Sequence, residues 1–171
     1  GAKDVICLFN FRPERNSGLA FEIRMSRSKD GGNTWSDVRT LFTAGKEFEN
    51  GCWEPSGVVY PSGELRIFFA NEAPYRTSNE QEISMIRSKN GGETWDPVER
   101  VSFRKEHRDG MPVPVLAPEL KRTFLAIEDN GIHGAFKPVI LAIANTKESN
   151  SVSGDSPNRW SALSKPLAET T

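Results

Sequence analysis

The sequence predicts an all-β chain built from repeated units, and three observations carry that expectation. One eight-residue turn motif recurs at near-constant spacing. The segments between its copies are short apolar runs bounded by turn residues. No segment sustains the 3.6-residue periodicity of a capped helix.

The motif is Ser28-Lys29-Asp30-Gly31-Gly32-Asn33-Thr34-Trp35, echoed by Ser88-Lys89-Asn90-Gly91-Gly92-Glu93-Thr94-Trp95, each preceded by an arginine, Arg27 or Arg87. The two tryptophans stand 60 residues apart. A weaker copy, Ser153-Gly154-Asp155-Ser156-Pro157-Asn158-Arg159-Trp160, follows 65 residues later with Pro157 where glycine is expected. The Asp or Asn side chain accepts backbone N–H bonds within its own tight turn. Gly32 and Gly92 supply positive φ. Trp35, Trp95 and Trp160 are expected to fold back and bury a large ring against the hairpin base. These residues, with Ser28, Asp30, Ser88, Asn90, Ser153 and Asp155, therefore read as hairpin staples rather than as a reactive site.

Between staples, runs at 5–11, 19–25, 57–60, 65–70, 82–86, 113–116, 123–127 and 139–144 are rich in Val, Ile, Phe and Leu. Pro61-Ser62-Gly63 reads as a hairpin connection. Four strands per roughly 60 residues is the size of a large propeller blade. Blades are expected at about 5–45, 53–104 and 111–165 of a single domain spanning 1–171. The second and third units show four strands, with the staple between the third and fourth. The first shows only three, at about 5–12, 19–28 and 37–43. Its innermost strand is missing, so an absent segment, a longer chain or another copy is expected to supply it and to close the ring.

Composition narrows the partners. A net charge of -1 over 171 residues, with 26% charged residues in scattered order, argues against nucleic acid or an anionic membrane. No apolar run approaches bilayer length. Cys7 and Cys52 form no CxxC pair and read as two buried thiols, with a disulfide between them the other option. His107 and His133 lack metal-ligand spacing, so no metal is expected. The chain begins Gly-Ala-Lys, and Gly1 reads as a tag remnant, so the lack of a leader is uninformative.

The staples resemble the Asp-box, or BNR, repeat of sialidases and related six-bladed propellers. The intervening segments narrow the resemblance. Asn50-Gly51-Cys52-Trp53-Glu54-Pro55 is followed by Phe69-Ala70-Asn71-Glu72, by Arg108-Asp109-Gly110-Met111-Pro112-Val113, and by Ala126-Ile127-Glu128-Asp129-Asn130. This order is similar to that of the exo-arabinanase family of sialidase-fold glycosidases. There a Trp-Glu-Pro and a Gly-Met-Pro segment, followed by a strand-ending Glu, surround the pocket. The resemblance implies an exo-acting glycoside hydrolase, or a sialidase proper, with Glu54 and Glu128 as the catalytic pair. It further implies a retaining double displacement, a glycan substrate, no organic cofactor, and a secreted or periplasmic parent. A sialidase would also show a Phe-Arg-Ile-Pro segment, which Asn10-Phe11-Arg12-Pro13 only approximates. Its later arginines and nucleophilic tyrosine would lie beyond Thr171.

The residues agree with such chemistry. Glycoside hydrolysis uses two carboxyl groups flanking the scissile bond, one donating a proton to the leaving oxygen. Glu54, between Trp53 and Pro55, and Glu128, at the expected end of the run Phe124-Leu125-Ala126-Ile127, supply two. Asp129 and Asn130 stand ready to hydrogen-bond Glu128. Glu72 is expected to orient a sugar hydroxyl or tune a carboxyl. Arg12, Arg108 and Asp109 are candidate substrate contacts, with Asp109 the alternative proton donor if the chemistry is sialidase-like. Trp53 and Tyr75 read equally as sugar-stacking platforms and as core. The rival class is a non-catalytic carbohydrate-binding propeller, since one fold hosts many functions.

Overall fold

The computed structural model describes residues 3–36, 38–120, 122–131, 136–145 and 161–162. They form three antiparallel sheets, each built in chain order. The first holds β1 (Val5–Phe11), β2 (Glu22–Ser28) and β3 (Arg39–Thr43). The second holds β4 (Cys52–Val59), β5 (Leu65–Asn71), β6 (Glu82–Ser88) and β7 (Glu99–Ser102). The third holds β8 (His107–Ala117), β9 (Arg122–Gly131), β10 (Phe136–Asn145) and β11 (Ser161–Ala162).

Register makes the repeat concrete. Val5 pairs with Ser28 as Leu65 pairs with Ser88, so β1 is the counterpart of β5 and not of β4. Among the described residues β1 has no inner partner, as the strand count predicts. The third staple, with Ser153, Asp155 and Trp160, lies outside the described residues.

The inner strands β4 and β8 are longer than the apolar runs suggested, because each passes through a bulge that contains a proline. The ladder shifts between Trp53 and Ser56 in β4 and between Gly110 and Val113 in β8. A proline lacks the N–H that a ladder needs, so an edge bulge is where a strand tolerates one. Glu54 and Met111 precede these prolines, and both take left-handed backbone, at φ 56 and 46. Glu128 also differs from expectation. It lies within β9, paired with Gly110 across the ladder, and does not end the strand.

The middle sheet is the core. Every residue of β5 and β6 is buried, because neighbouring sheets cover both faces. Phe68 and Phe69 are wholly buried, each contributing about 1.5–3 kcal/mol of hydrophobic stabilisation. Phe42 of the first sheet packs on Phe69 at 4.8 Å between ring centroids. The Tyr60 hydroxyl shares a buried 2.7 Å hydrogen bond with Thr123 of the third.

The staples form as their residues dictate. Ser28 Oγ accepts the Gly32 N–H at 2.8 Å, and Asp30 Oδ1 accepts the Thr34 N–H at 2.9 Å. Ser88 and Asn90 repeat both bonds with Gly92 and Thr94 at the same distances. The burial expected of the staple tryptophans holds unequally for the two that are described. Trp95 is half-buried against the core, whereas Trp35 stays 46% exposed. The first turn also reaches its neighbour: Arg27 donates to Gly91 O at 2.7 Å and Arg39 to Glu93 O at 2.8 Å. The expected pair of buried thiols is half corrected, since Cys52 is buried but Cys7 is exposed, and both are free.

Candidate active site

Register separates the staples from the candidate site. The second staple follows Ser88, which pairs with the first residue of β5. Glu54 lies near the start of β4, where Trp53 pairs with Ala70 near the end of β5. Glu128 and its partner Gly110 sit at the matching end of the third sheet. The two glutamates thus occupy the end of the sheets opposite the staples, on the strands nearest the inner edge.

Gly110 measures how close they come. A Cβ on Gly110 would lie 3.6 Å from Glu54 Oε2 and 3.6 Å from Glu128 Oε2. The two oxygens are therefore at most twice that distance apart. That ceiling admits both the roughly 5–5.5 Å separation of retaining glycosidase pairs and the lower part of the roughly 6.5–9.5 Å inverting range. A side chain at position 110 would intrude on the gap, and glycine leaves it open.

Each carboxylate is oriented. Glu54 Oε2 accepts the Met111 N–H at 2.8 Å, and the Glu54 N–H donates to Asn10 Oδ1 at 2.7 Å. Asn10 Nδ2 donates in turn to Cys52 O at 2.6 Å. Glu128 Oε1 accepts from Asn130 Nδ2 at 2.9 Å, the partner that the sequence suggested. Glu128 is half-buried. Glu54 is exposed although Trp53 beside it in the chain is buried.

Beneath them lies a buried polar lattice. Glu72 is 3% exposed; its Oε1 pairs with Arg108 Nη2, and its Oε2 accepts the Gly51 N–H at 3.3 Å. Arg108 also donates to Asn79 O at 2.6 Å and Gln81 Oε1 at 3.2 Å. Gln81 Nε2 donates to Asp109 O at 2.7 Å. Glu72 therefore joins the start of β4 to the start of β8, the strands that carry Glu54 and Met111. A buried carboxylate needs such a partner, since an unpaired charge is costly away from water.

The other candidates separate from the pair. Asp109 has no exposed surface and is held by Ser102 and Arg104, so in this conformation it presents no oxygen to a substrate. Trp53 is core: 8% exposed, with Phe21 and Phe48 each at 5.0 Å between centroids. Arg12 is exposed and stacks its guanidinium 4.9 Å from the centre of the Trp53 ring. Tyr75 stacks on Phe103 at 4.9 Å and donates to Glu82 Oε2 at 2.6 Å, and burial raises its hydroxyl pKa. Among the described residues no group of three or more His, Cys, Asp or Glu is placed to hold a metal ion; His107 belongs to β8, and His133 lies outside them. Asn10 and Gln81 escaped the sequence reading, and Met111 entered it only within the Gly-Met-Pro segment, without its role as a backbone donor. Asn10 lies in an ordinary apolar strand.

Comparison with known proteins agrees with this architecture. A sequence model of the BNR repeat-like domain matches residues 7–118. No curated protein matches the chain significantly by sequence. The α-L-arabinanase of Penicillium chrysogenum, solved with arabinobiose, superposes with a TM-score of 0.70 at 19% identity, over 94% of this chain and 45% of that one. The GH93 α-L-arabinofuranosidase of Fusarium graminearum, also with arabinobiose, gives 0.68 at 20% identity, over 83% and 41%. A Dyadobacter fermentans protein of unknown function gives 0.60 at 17%, over 86% and 36%. At these identities the likeness shows the fold: part of a six-bladed BNR propeller. The chain spans less than half the length of each of these structures.

Proposed function

Because the chain belongs to the BNR repeat-like domain family, we propose that it carries the catalytic carboxylates of an exo-acting glycoside hydrolase that removes terminal arabinofuranose from a glycan outside the cytoplasm. The observation that carries this reading is the convergence of Glu54 and Glu128 on the open space over Gly110. A sugar seated there has one carboxyl on each side of its glycosidic bond. One protonates the leaving oxygen, and the other attacks the anomeric carbon to give a glycosyl-enzyme that water then releases. The backbone N–H of Met111 and the amide of Asn130 orient the two groups before substrate arrives. Similarity to two arabinose-acting enzymes of the same fold supports the choice of sugar. A sialidase reading finds less support, because Arg108 is committed to Glu72 and Arg12 to the Trp53 ring.

The test is hydrolysis of arabinobiose, aryl α-L-arabinofuranosides and α-sialosides by the protein that carries this chain, alongside its Glu54→Gln and Glu128→Gln variants. Turnover of the arabinosides is expected, with a loss of about 10²–10⁴-fold or more in each variant. Turnover that survives either substitution would remove that glutamate from the mechanism. A folded protein that cleaves none of the panel would instead favour a carbohydrate-binding propeller.

A further inference from the structure

We propose that Asn10 is a positioning residue that sets the reactive orientation of Glu54; the inference rests on the glycosidase reading above. Glu54 stands at φ 56, a left-handed conformation that a residue bearing a Cβ adopts only when its surroundings impose it. The following Pro55 does not impose it, since proline steers its predecessor toward extended backbone. Met111 takes the same conformation before Pro112 although the preceding strand carries Ala70 at the matching place, so the bulge itself sets φ. What is particular to Glu54 is the side-chain amide of Asn10, 44 residues away on the first sheet and bonded at both Cys52 and Glu54. It accepts the Glu54 N–H at 2.7 Å and donates to Cys52 O at 2.6 Å. The carboxamide therefore takes a donor and an acceptor two residues apart on β4, as the peptide unit of a neighbouring strand would. It does so beside the bulge, where β4's ladder to β5 is broken. With the backbone turned this way, the Glu54 carboxylate meets the Met111 N–H and faces Glu128 across Gly110.

The repeat contains its own control. Asn10 pairs with Ile23 as Ala70 pairs with Ile83, so the second sheet carries alanine at the matching position. The corresponding place in the third sheet is Glu128, since Trp53 faces Ala70 across its ladder as Gly110 faces Glu128. One position on three strands thus serves as a structural alanine, a carboxylate of the pair, and the amide that aims the other carboxylate. A strand of this fold accepts alanine there, so Asn10→Ala is expected to fold.

The experiment compares Asn10→Ala, Asn10→Asp and Glu54→Gln in the protein that carries this chain, by steady-state kinetics on an aryl α-L-arabinofuranoside, thermal unfolding and crystallography. Asn10→Ala is expected to lower kcat at least 30-fold with KM within threefold, and its crystal structure to show the Glu54 carboxylate displaced from the Met111 N–H. Asn10→Asp keeps the acceptor for the Glu54 N–H and is expected to recover at least a third of the logarithmic loss. If Glu54→Gln abolishes turnover while Asn10→Ala retains kcat within twofold, or if the Glu54 carboxylate keeps its bond to the Met111 N–H in the Asn10→Ala crystal, the positioning role is overturned and the glycosidase reading stands. If Glu54→Gln itself retains turnover, the glycosidase assignment of Glu54 falls, and the role of Asn10 with it. Should Asn10→Ala unfold, Asn10→Asp decides: a fall in kcat matched by an equal rise in KM overturns the proposal.

Discussion

Glu54 and Met111 are the same residue of successive sheets, and one holds the other. Each stands in the bulge of an inner strand, each precedes a proline, and each has left-handed backbone. Across the gap between sheets the Met111 N–H donates to Glu54 Oε2. A repeated irregularity therefore places a backbone donor of one unit against the carboxylate of the preceding one. Bulges that re-aim side chains are a known device beside active sites.

Gly110 should be intolerant of side chains for reasons of function before reasons of stability. A Cβ there would lie 3.0 Å from Gln81 Nε2 and 3.6 Å from each glutamate oxygen. Gly110→Ala is expected to leave the protein folded and to lower kcat/KM about tenfold, and Gly110→Val about 10²-fold or more, as fits displacement of reacting groups by roughly 1 Å. Kinetics with parallel thermal unfolding would separate the two effects; equal kcat/KM for Gly110→Val and wild type would mean the gap is not where substrate sits.

Arg108→Ala should destabilise strongly. It leaves the Glu72 carboxylate, 3% exposed, without its cationic partner. Breaking a buried pair costs about 3–5 kcal/mol, and about 2–3 is expected here because Arg108 is itself a third exposed. The double variant Arg108→Met with Glu72→Gln should recover part of the loss, since no charge then remains buried. Urea unfolding of Arg108→Met, Glu72→Gln and their double variant closes the cycle, and additivity would show that the pair is not coupled.

Acid should weaken the first staple and spare the second. Hydrogen bonds from the Thr34 hydroxyl and N–H, and from Ser28, pull the Asp30 carboxyl down to about 2 from an ordinary value of 3.8. The folded state thus favours the ionised form. The stabilisation is complete above pH 3.8 and is lost as pH falls through about 2. Asn90 holds the same place in the second staple and does not titrate. The stability difference between wild type and Asp30→Asn should shrink between pH 4 and pH 2 in denaturant titrations, and a difference that stays constant would contradict the assignment.

The two thiols should differ in reactivity. Cys7 is exposed, whereas burial first, and then the nearby carboxylates of Glu22 and Glu72, push the Cys52 thiol up to about 12. The thiolate is the reactive form. A thiol reagent at pH 8 should label Cys7 and spare Cys52 in the native protein and label both in denaturant, as peptide mapping would show. Rapid native labelling of Cys52 would mean that the start of β4 opens readily.

Legibility in the sequence follows the range of the interactions. Ser28 with Gly32 and Asp30 with Thr34 are contacts over four residues, so spacing alone reveals the staple. The apolar runs of β1 and β5 give their strands nearly to the residue. The starts of β4 and β8 were less legible, because Pro55 and Pro112 look like strand breakers until a bulge accommodates them. Trp53 and Asp109 were ambiguous for another reason: an aromatic ring or a carboxylate beside a candidate site reads alike whether it faces core or solvent.

The sequence by itself determined the repeat, the hairpin staples and the all-β architecture, because each rests on local spacing, and through the family resemblance it offered Glu54 and Glu128 as a candidate pair. Only the tertiary structure decided how that pair is held. The bonds from Asn10 and Met111 to Glu54 span 44 and 57 residues and join three separate sheets. No local preference encodes them. They exist because packing sets the three sheets side by side, which brings an amide, a bulge and a glycine gap to the same end of neighbouring strands.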